Sequence, residues 1–138
     1  MSITPLEVAM HHLRADDDDS ADVQRKLDAA EEIAAQYMGR TIYEDADALS
    51  VGIEQAGEQI NAMLSVGGGH IDLDNSHAYH DALMQKRGVV MNPAIEAGVL
   101  LILGTLYAHR EDVTVGFSAT ELPIAATHRL QPYRVMGV

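Results

Sequence analysis

The densest set of side chains that could do chemistry lies in a polar stretch that follows three glycines. Its members could all bind a metal ion: His70, Asp72, Asp74, His77 and His80. His77 and His80 are three residues apart, so on a helix they would share a face and could hold a transition metal with Asp72 or Asp74. A polar loop in an acidic protein gathers such residues easily, however, and we expect no metal site here.

A calcium site is disfavoured at the same place. The run Asp72-x-Asp74-x-Ser76 begins like a calcium-binding loop, which needs glycine at its sixth position and glutamate at its twelfth. Those positions hold His77 and Leu83. The calcium interpretation therefore fails.

The other reactive side chains are poorly placed for catalysis. His11 and His12 are adjacent, so their rings would point to different faces of a helix. Gly67–Gly69 lacks the Lys-Ser/Thr of a phosphate-binding loop and is interpreted as a flexible hinge. No serine has the setting of a nucleophile, no two acids are placed for acid–base work, and the chain has no cysteine. We predict that the chain is not an enzyme and uses no catalytic residue, cofactor or metal.

The chain is strongly acidic. Its 138 residues carry a net charge of −12, and the first fifty hold twelve acids against four bases. The sharpest run, Asp16–Asp19, is interpreted as a solvated loop whose last residues cap the next helix, in preference to a metal site. Nonspecific binding to nucleic acid is disfavoured because affinity for phosphate comes from clustered Lys and Arg. An acidic surface that faces DNA is useful only where DNA must move past the protein without binding to it.

Hydrophobic spacing predicts a mainly helical protein. Helices are expected from Thr4 to about Arg14, from about Ala21 to Met38, along a seam from Leu49 to Met63, around Ser76 to Arg87, and from Leu122-Pro123 to Leu130. In the first of these, Thr4 is the expected N-cap and Glu7 closes a capping box. Gly39 is the expected left-handed C-cap of the second.

The most apolar run, from Asn92 to Asp112, predicts the central helix. Asn92 is a good N-cap and Pro93 suits the first helical position. One face is bulky: Ile95, Val99, Ile102, Leu103 and Leu106. The opposite stripe is small: Ala94, Ala97, Gly104 and Ala108. Two such faces indicate either a central core helix or a helix that also packs against a neighbouring subunit. The run is too short for a membrane span, which needs about 20 apolar residues, and it contains Glu96.

These patterns predict one domain, residues 1–138, folded as a small bundle of four to five helices. A short extended arm, Val113–Phe117, is expected before the C-terminal helix because its residues alternate as in a strand.

The order of four stretches along the chain gives evidence about the family of the protein. They are Thr4–Asp16 with the acidic loop behind it, Leu27–Thr41, Asn92–Glu111, and Leu122-Pro123 together with Leu130–Arg134. In this order they resemble the head–tail connector (head-completion adaptor) proteins of long-tailed bacteriophages and related prophages. The resemblance covers roughly 1–41 and 92–135, whereas 43–91, which includes the Gly67–Gly69 hinge, is longer and less typical.

The resemblance implies a structural virion protein. Its subunits would form a ring, commonly a dodecamer, between portal and tail, extending the DNA channel and completing the head after DNA packaging. The implied partners are further copies of the chain, the portal protein, and a tail-completion or stopper protein, with double-stranded DNA passing through without specific binding. The implied location is the head–tail junction of the virion, with the host cytoplasm before assembly and no membrane.

The resemblance also implies interface residues. Leu122, Pro123, Tyr133 and Arg134 match the family's C-terminal motif and are expected to hold the ring or grip the portal. The alternative is that Leu122 and Tyr133 merely close the core of one subunit. As a hypothesis, the acidic surface that lines the channel includes Asp16, Asp17, Asp18 and Asp19.

Two rival functions remain open. The first is an acidic helical module that binds a host or phage protein, and it predicts a stable monomer with a basic partner. The second is a metal-site protein built on the His70–His80 cluster.

Overall fold

The computed structural model describes residues 2–66, 68–70, 73–109 and 122–136. Its six α-helices are α1 (Leu6–Leu13), α2 (Ser20–Met38), α3 (Ala46–Val66), α4 (Ser76–Lys86), α5 (Pro93–Ala108) and α6 (Ile124–Leu130). Two short strands are β1 (Ile42–Tyr43) and β2 (Val89–Val90), and single 3-10 turns span Asp17–Asp19, Leu73–Asn75 and Gln131–Tyr133. The predicted class, a small mainly helical bundle, is confirmed, with six helices in these ranges instead of four or five. The predicted arm Val113–Phe117 lies outside the described residues.

Helices α1, α2, α5 and α6 pack around one hydrophobic core, and we call this unit the body. The contact between α2 and α5 is its most extensive one. The large apolar side chains at its centre are fully buried: Val23, Leu27, Met38, Ile95, Val99, Ile102, Leu103, Leu106 and Leu130. The predicted bulky face of α5 is thus confirmed as the centre of the core.

The start of α5 follows from its local sequence. The Oδ1 atom of Asn92 accepts hydrogen bonds from the N–H groups of Ala94 and Ile95, both at 3.0 Å. Pro93 occupies the first helical position, where a missing N–H costs nothing. The predicted cap is therefore confirmed.

Close approach to α5 occurs at Gly98, outside the predicted stripe of small residues. A Cβ atom at Gly98 would lie 2.9 Å from both Cγ and Cδ2 of Leu130, so α6 rests on the bare backbone of α5. At Gly104, by contrast, the nearest atom to an added Cβ is His12 Nε2, at 3.9 Å. The small-residue stripe itself is partly exposed.

The predicted capping box at Thr4 is wrong. Helix α1 begins at Leu6, its N-cap residue is Pro5, and no side chain caps it. The Glu31 carboxylate of α2 instead accepts the N–H groups of Thr4, at 2.7 Å, and Ile3, at 3.0 Å. A carboxylate distant in sequence thus binds the Thr4 N–H, the backbone donor that Glu7 was expected to satisfy.

Helices α3 and α4 pack on each other and form a second unit, which we call the helix pair. The positions that α3 buries are Gly52, Ala56 and Ile60. Ile53, predicted to lie in the seam, is 39% exposed, because the contact with α4 and the strands runs along the neighbouring positions. Gly68 and Gly69 adopt positive φ values of 61° and 91°, and the Gly69 N–H donates to the Leu64 carbonyl at 2.8 Å, which ends α3.

A two-stranded parallel sheet joins the helix pair to the body. Ile42 pairs with Val89 and Tyr43 with Val90. Parallel strands need a crossover connection, and here the helix pair is that connection. The Thr41 N–H also donates to the Met84 carbonyl at 3.0 Å, which fixes the end of α4 beside β1.

The ring of Tyr43 fills a slot between Gly52 and Gly88. A Cβ atom at either glycine would overlap the ring. The Tyr43 hydroxyl donates to the Gln85 carbonyl at 3.2 Å. Burial raises the pKa of Tyr43 above its usual value of 10.0. One aromatic side chain from β1 thereby contacts α3, α4 and the turn before β2.

Candidate interaction surfaces

A cleft of about 550 Å³ lies between α2 and α4, at the boundary of the body and the helix pair. Four carboxylates line it: Asp28, Glu31 and Glu32 from α2, and Asp81 from α4. No lysine or arginine is among its lining residues. We call it the acidic cleft.

The acidic cleft also has apolar walls. Ile3, Ala35, Ile42 and Met84 line it beside the carboxylates, and three of them, Ala35, Ile42 and Met84, belong to the main core. Apolar walls with a few polar groups at defined positions are typical of ligand and peptide sites. A positively charged group that is flanked by apolar atoms would match this lining.

In the described parts of the chain, Asp28, Glu31 and Glu32 accept hydrogen bonds, and the ion pairs lie elsewhere. Asp28 Oδ1 accepts from Gln24 Nε2, and Glu32 Oε1 accepts from Gln36 Nε2, each at 2.9 Å. Glu31 holds the N-terminal backbone. The ion pairs among the described residues join Asp22 to Arg25 and Lys26, outside the cleft. The negative charge of the cleft is therefore uncompensated there.

The predicted C-terminal interface residues are not among the residues that line the acidic cleft. Leu122 is buried, with 7% of its surface exposed, and Tyr133 is half-buried against the core. Pro123 is half-buried at the start of α6. The Arg134 guanidinium stacks over the Tyr37 ring, 4.9 Å from its centroid.

Two hydrogen bonds close this end of the chain onto α2. The Tyr37 hydroxyl donates to Gln131 Oε1 at 2.5 Å. The Val135 N–H donates to the Met38 carbonyl at 2.9 Å. Leu122, Tyr133 and Arg134 thus all have contacts within their own subunit, and a role for them in a ring or on a portal remains a prediction.

The acidic run forms a 3-10 turn that is attached to the central helix α5. Asp16, Asp17 and Asp18 are exposed. Asp19 occupies the N-cap position of α2, but its side chain makes no capping bond and accepts the Tyr107 hydroxyl at 2.9 Å. The expectation that the last residues of the run cap α2 thus holds for the position of Asp19 alone, because its carboxylate is bound to Tyr107 of α5 and makes no capping bond.

A buried lysine supports the same attachment, and sequence analysis missed it. Lys26 is 8% exposed, its Nζ atom lies 2.7 Å from Asp22 Oδ2, and it lies 5.5 Å from the centroid of the Tyr107 ring. Its position on the inner face of α2, next to Leu27, is the signal that could have identified it.

The histidine cluster does not come together in the part of the chain that the structure describes. His70, Asp74, His77 and His80 are all exposed. Among the described residues, no three His, Asp or Glu side chains are grouped so that they could hold a metal ion. Asp72 lies outside those residues.

The acidic cleft was not predicted either. A partial signal exists, since Asp28 and Glu32 are four residues apart and share a helix face with Glu31 at its side. Asp81 carries no such signal, because tertiary contacts such as the pairing of β1 with β2 and the Thr41–Met84 hydrogen bond place its helix beside the cleft.

No protein-family model, curated protein or solved structure matches the chain. In the ranges that the structure describes, no helix is long and apolar enough to cross a membrane.

Proposed function

We propose that the chain is a structural virion protein that forms a ring between portal and tail. The ring would extend the DNA channel and complete the head after packaging. The observation that carries the proposal is the agreement between the resemblance and the packing. The stretches that resemble head–tail connectors, 1–41 and 92–135, supply almost all of the body's core: of its buried members, Ile42 borders the first stretch and Met84 comes from within 43–91.

The less typical segment has a matching place in the fold. It supplies the helix pair, which packs mainly on itself and on the strand pair. A connector-like body with an added crossover would give this arrangement. The proposal therefore explains why one part of the chain resembles the family and the other does not.

The role proposed here depends on shape and charge. A ring subunit needs surfaces that fit its neighbours, and its channel wall must not bind phosphate. The exposed carboxylates of Asp16, Asp17 and Asp18 suit such a wall, since like charges repel DNA over about one Debye length, about 8 Å at physiological salt.

The direct test is electron microscopy of the protein mixed with the portal protein of the same virus. Closed rings seated on the portal vertex are the expected result. A matched sample with an unrelated portal controls for nonspecific stacking. Monomers that do not bind the portal would contradict the proposal. So would virions that lack the protein yet still join head to tail and retain DNA.

The channel hypothesis has its own test. Changing Asp16, Asp17 and Asp18 together to asparagine should leave ring assembly intact and slow DNA ejection, because repulsion of the phosphate backbone is lost. Asp19 stays unchanged, since it holds Tyr107. The control is Glu54→Gln with Glu58→Gln on α3, and ejection that is equal in both sets of particles would rule the hypothesis out.

A further inference from the structure

The outward surface of α6 combines apolar and basic side chains. Successive residues of a helix are about 100° apart, so Ile124, His128, Ala125 and Arg129 cover one arc of about 140°. All four are exposed, and Ile124 is 76% exposed. The opposite side of α6 carries Ala126 and Leu130, which are fully buried. We call the exposed arc the α6 patch.

The α6 patch differs from the surfaces of the other helices. Among the six helices of the described residues, α6 alone has both an exposed large apolar side chain and an exposed lysine or arginine. Helices α1 and α3 expose valine or isoleucine but contain neither lysine nor arginine, whereas α2 and α4 expose Arg25 or Lys86 without a large apolar side chain. Helix α5 exposes neither kind.

The patch and the acidic cleft are complementary in two respects. Arg129 would meet carboxylates that have no cation partner in the described chain, and Ile124 would meet the walls made by Ile3 and Met84. A chain with a net charge of −12 repels copies of itself at long range. A contact that pairs a cationic surface with an acidic one offsets this repulsion locally.

We propose that the α6 patch of one subunit docks into the acidic cleft of a second copy. The proposal rests on the ring function proposed above and names the surfaces through which the ring forms. The two surfaces are different, so each subunit binds one neighbour through its cleft and the other through its patch. Such a head-to-tail contact gives a closed ring when the rotation closes.

Charge exchange tests the contact directly. One variant is Arg129→Glu, and the other combines Glu32→Lys with Asp81→Lys. The changed side chains are exposed, and Glu31 is left in place because it holds the N-terminal backbone. Each variant should weaken self-association by about tenfold or more. Arg129→Glu brings like charges together in the interface, and the double change removes the net negative charge that Arg129 would meet. The readouts are sedimentation velocity of the protein alone and ring counts on the portal.

Recovery of self-association when the two variants are mixed is the decisive result. In an equal mixture of the two variants, the glutamate introduced at position 129 of the first can meet the lysines introduced into the cleft of the second. The unchanged basic patch of the second can meet the unchanged acidic cleft of the first. Association should therefore return to within a few-fold of the unchanged protein, and a mixture that stays as weak as either variant alone would overturn the contact.

A neutral variant and a stability measurement complete this series. Arg129→Gln removes the positive charge without adding a negative one, so it should weaken association less than Arg129→Glu does. Equal weakening by both would show that charge reversal does not govern the contact. Thermal unfolding of each variant checks that the fold is intact.

Matched controls reverse charges elsewhere on the surface. Glu58→Lys lies on α3 and Arg87→Glu follows α4, and both residues are exposed and outside the cleft lining. These changes should leave self-association unchanged. If they weaken it as much as the test variants do, net charge governs assembly and the proposed contact is wrong.

The remaining outcomes separate this contact from the ring function. Rings that form on the portal equally well with every variant would overturn the contact and leave the ring function standing. Charge-dependent self-association without any ring on the portal would support the contact and contradict the function. A protein that stays monomeric in both settings, or that binds a basic protein through the cleft as a single copy, would overturn the contact and the ring together.

Discussion

The body and the helix pair are held together in different ways. The body buries large aliphatic side chains completely, Leu103 and Ile102 among them. On α3 of the helix pair, the buried positions are Gly52, Ala56 and Ile60, while Val51 and Val66 are exposed. Since stabilisation by burial grows with the apolar area removed from water, the body should be the more stable unit.

The comparison matters because the acidic cleft lies between the two units. Asp28 and Glu32 belong to the body and Asp81 to the helix pair. The shape of the cleft therefore depends on the strand pair and on the Tyr43 slot, which hold α4 in place. Regions with few buried apolar contacts open locally at lower free energy than the core does.

The largest effect is expected from a cavity in the body. Leu103→Ala should lower the free energy of unfolding by about 2–5 kcal/mol, because Leu103 is fully buried and its neighbours relax only partly into the space. Ile60→Ala, the matched change in the helix pair, should cost less. The loss of hydrogen-exchange protection that Ile60→Ala causes should be confined to residues 46–86. Denaturant unfolding and hydrogen exchange measure both, and equal costs with global loss of protection would refute the division into two units.

The Tyr43 slot should be sensitive to a single methyl group. Gly52→Ala places a Cβ atom in the Tyr43 ring, and overpacking of this kind costs about 1–3 kcal/mol. Gly57→Ala on the same helix meets no atom within 4 Å and should instead stabilise the protein. The expected gain is about 0.5–1 kcal/mol, from the reduced entropy of the unfolded chain. Denaturant unfolding measures both changes, and similar values at the two glycines would show that the slot does not hold the helix pair.

Arg134 distinguishes the two interpretations of the C-terminal residues. Removing its stacking on Tyr37 by Arg134→Ala should cost about 1 kcal/mol of stability, since both side chains are only half-buried. If Arg134 also grips a ring neighbour or the portal, affinity for the portal should fall by more than this stability change accounts for. Tyr37→Phe serves as the control, because it keeps the ring under Arg134 and removes the bond to Gln131. Unchanged portal affinity would confine Arg134 to closing its own subunit.

The smallest effect concerns alkaline pH. Burial raises the pKa of Tyr43 in the folded chain, so above pH 10.0 the unfolded chain loses this proton more readily than the folded chain does. The stability that depends on the neutral Tyr43 is thus present below pH 10.0 and is lost as the pH rises through the folded pKa. Tyr43→Phe should flatten the alkaline fall in stability, measured by denaturant unfolding against pH. An unaltered slope would contradict a buried Tyr43 hydroxyl.

Local signals predicted the elements they control. The Asn92 cap and the bulky face of α5 are confirmed, and Gly39 ends α2 in the left-handed conformation at φ 68° as predicted. The Thr4 capping box failed because α1 begins one residue later, with Pro5 as its N-cap residue, and Glu31, which is distant in sequence, binds the Thr4 N–H group. Gly52 leaves space for the Tyr43 ring, a contact that the local pattern of α3 does not predict.

By itself, the sequence determined the helical class, the central helix and the strong acidity of this protein. Helical periodicity and capping act over about four residues, so both can be recognised in a single amino-acid sequence. Only the tertiary structure decided which carboxylates form a cleft and against which glycines another side chain packs. Those outcomes depend on the pairing of β1 with β2, which brings α4 beside α2, and no local pattern encodes the place of Asp81 in the cleft beside α2.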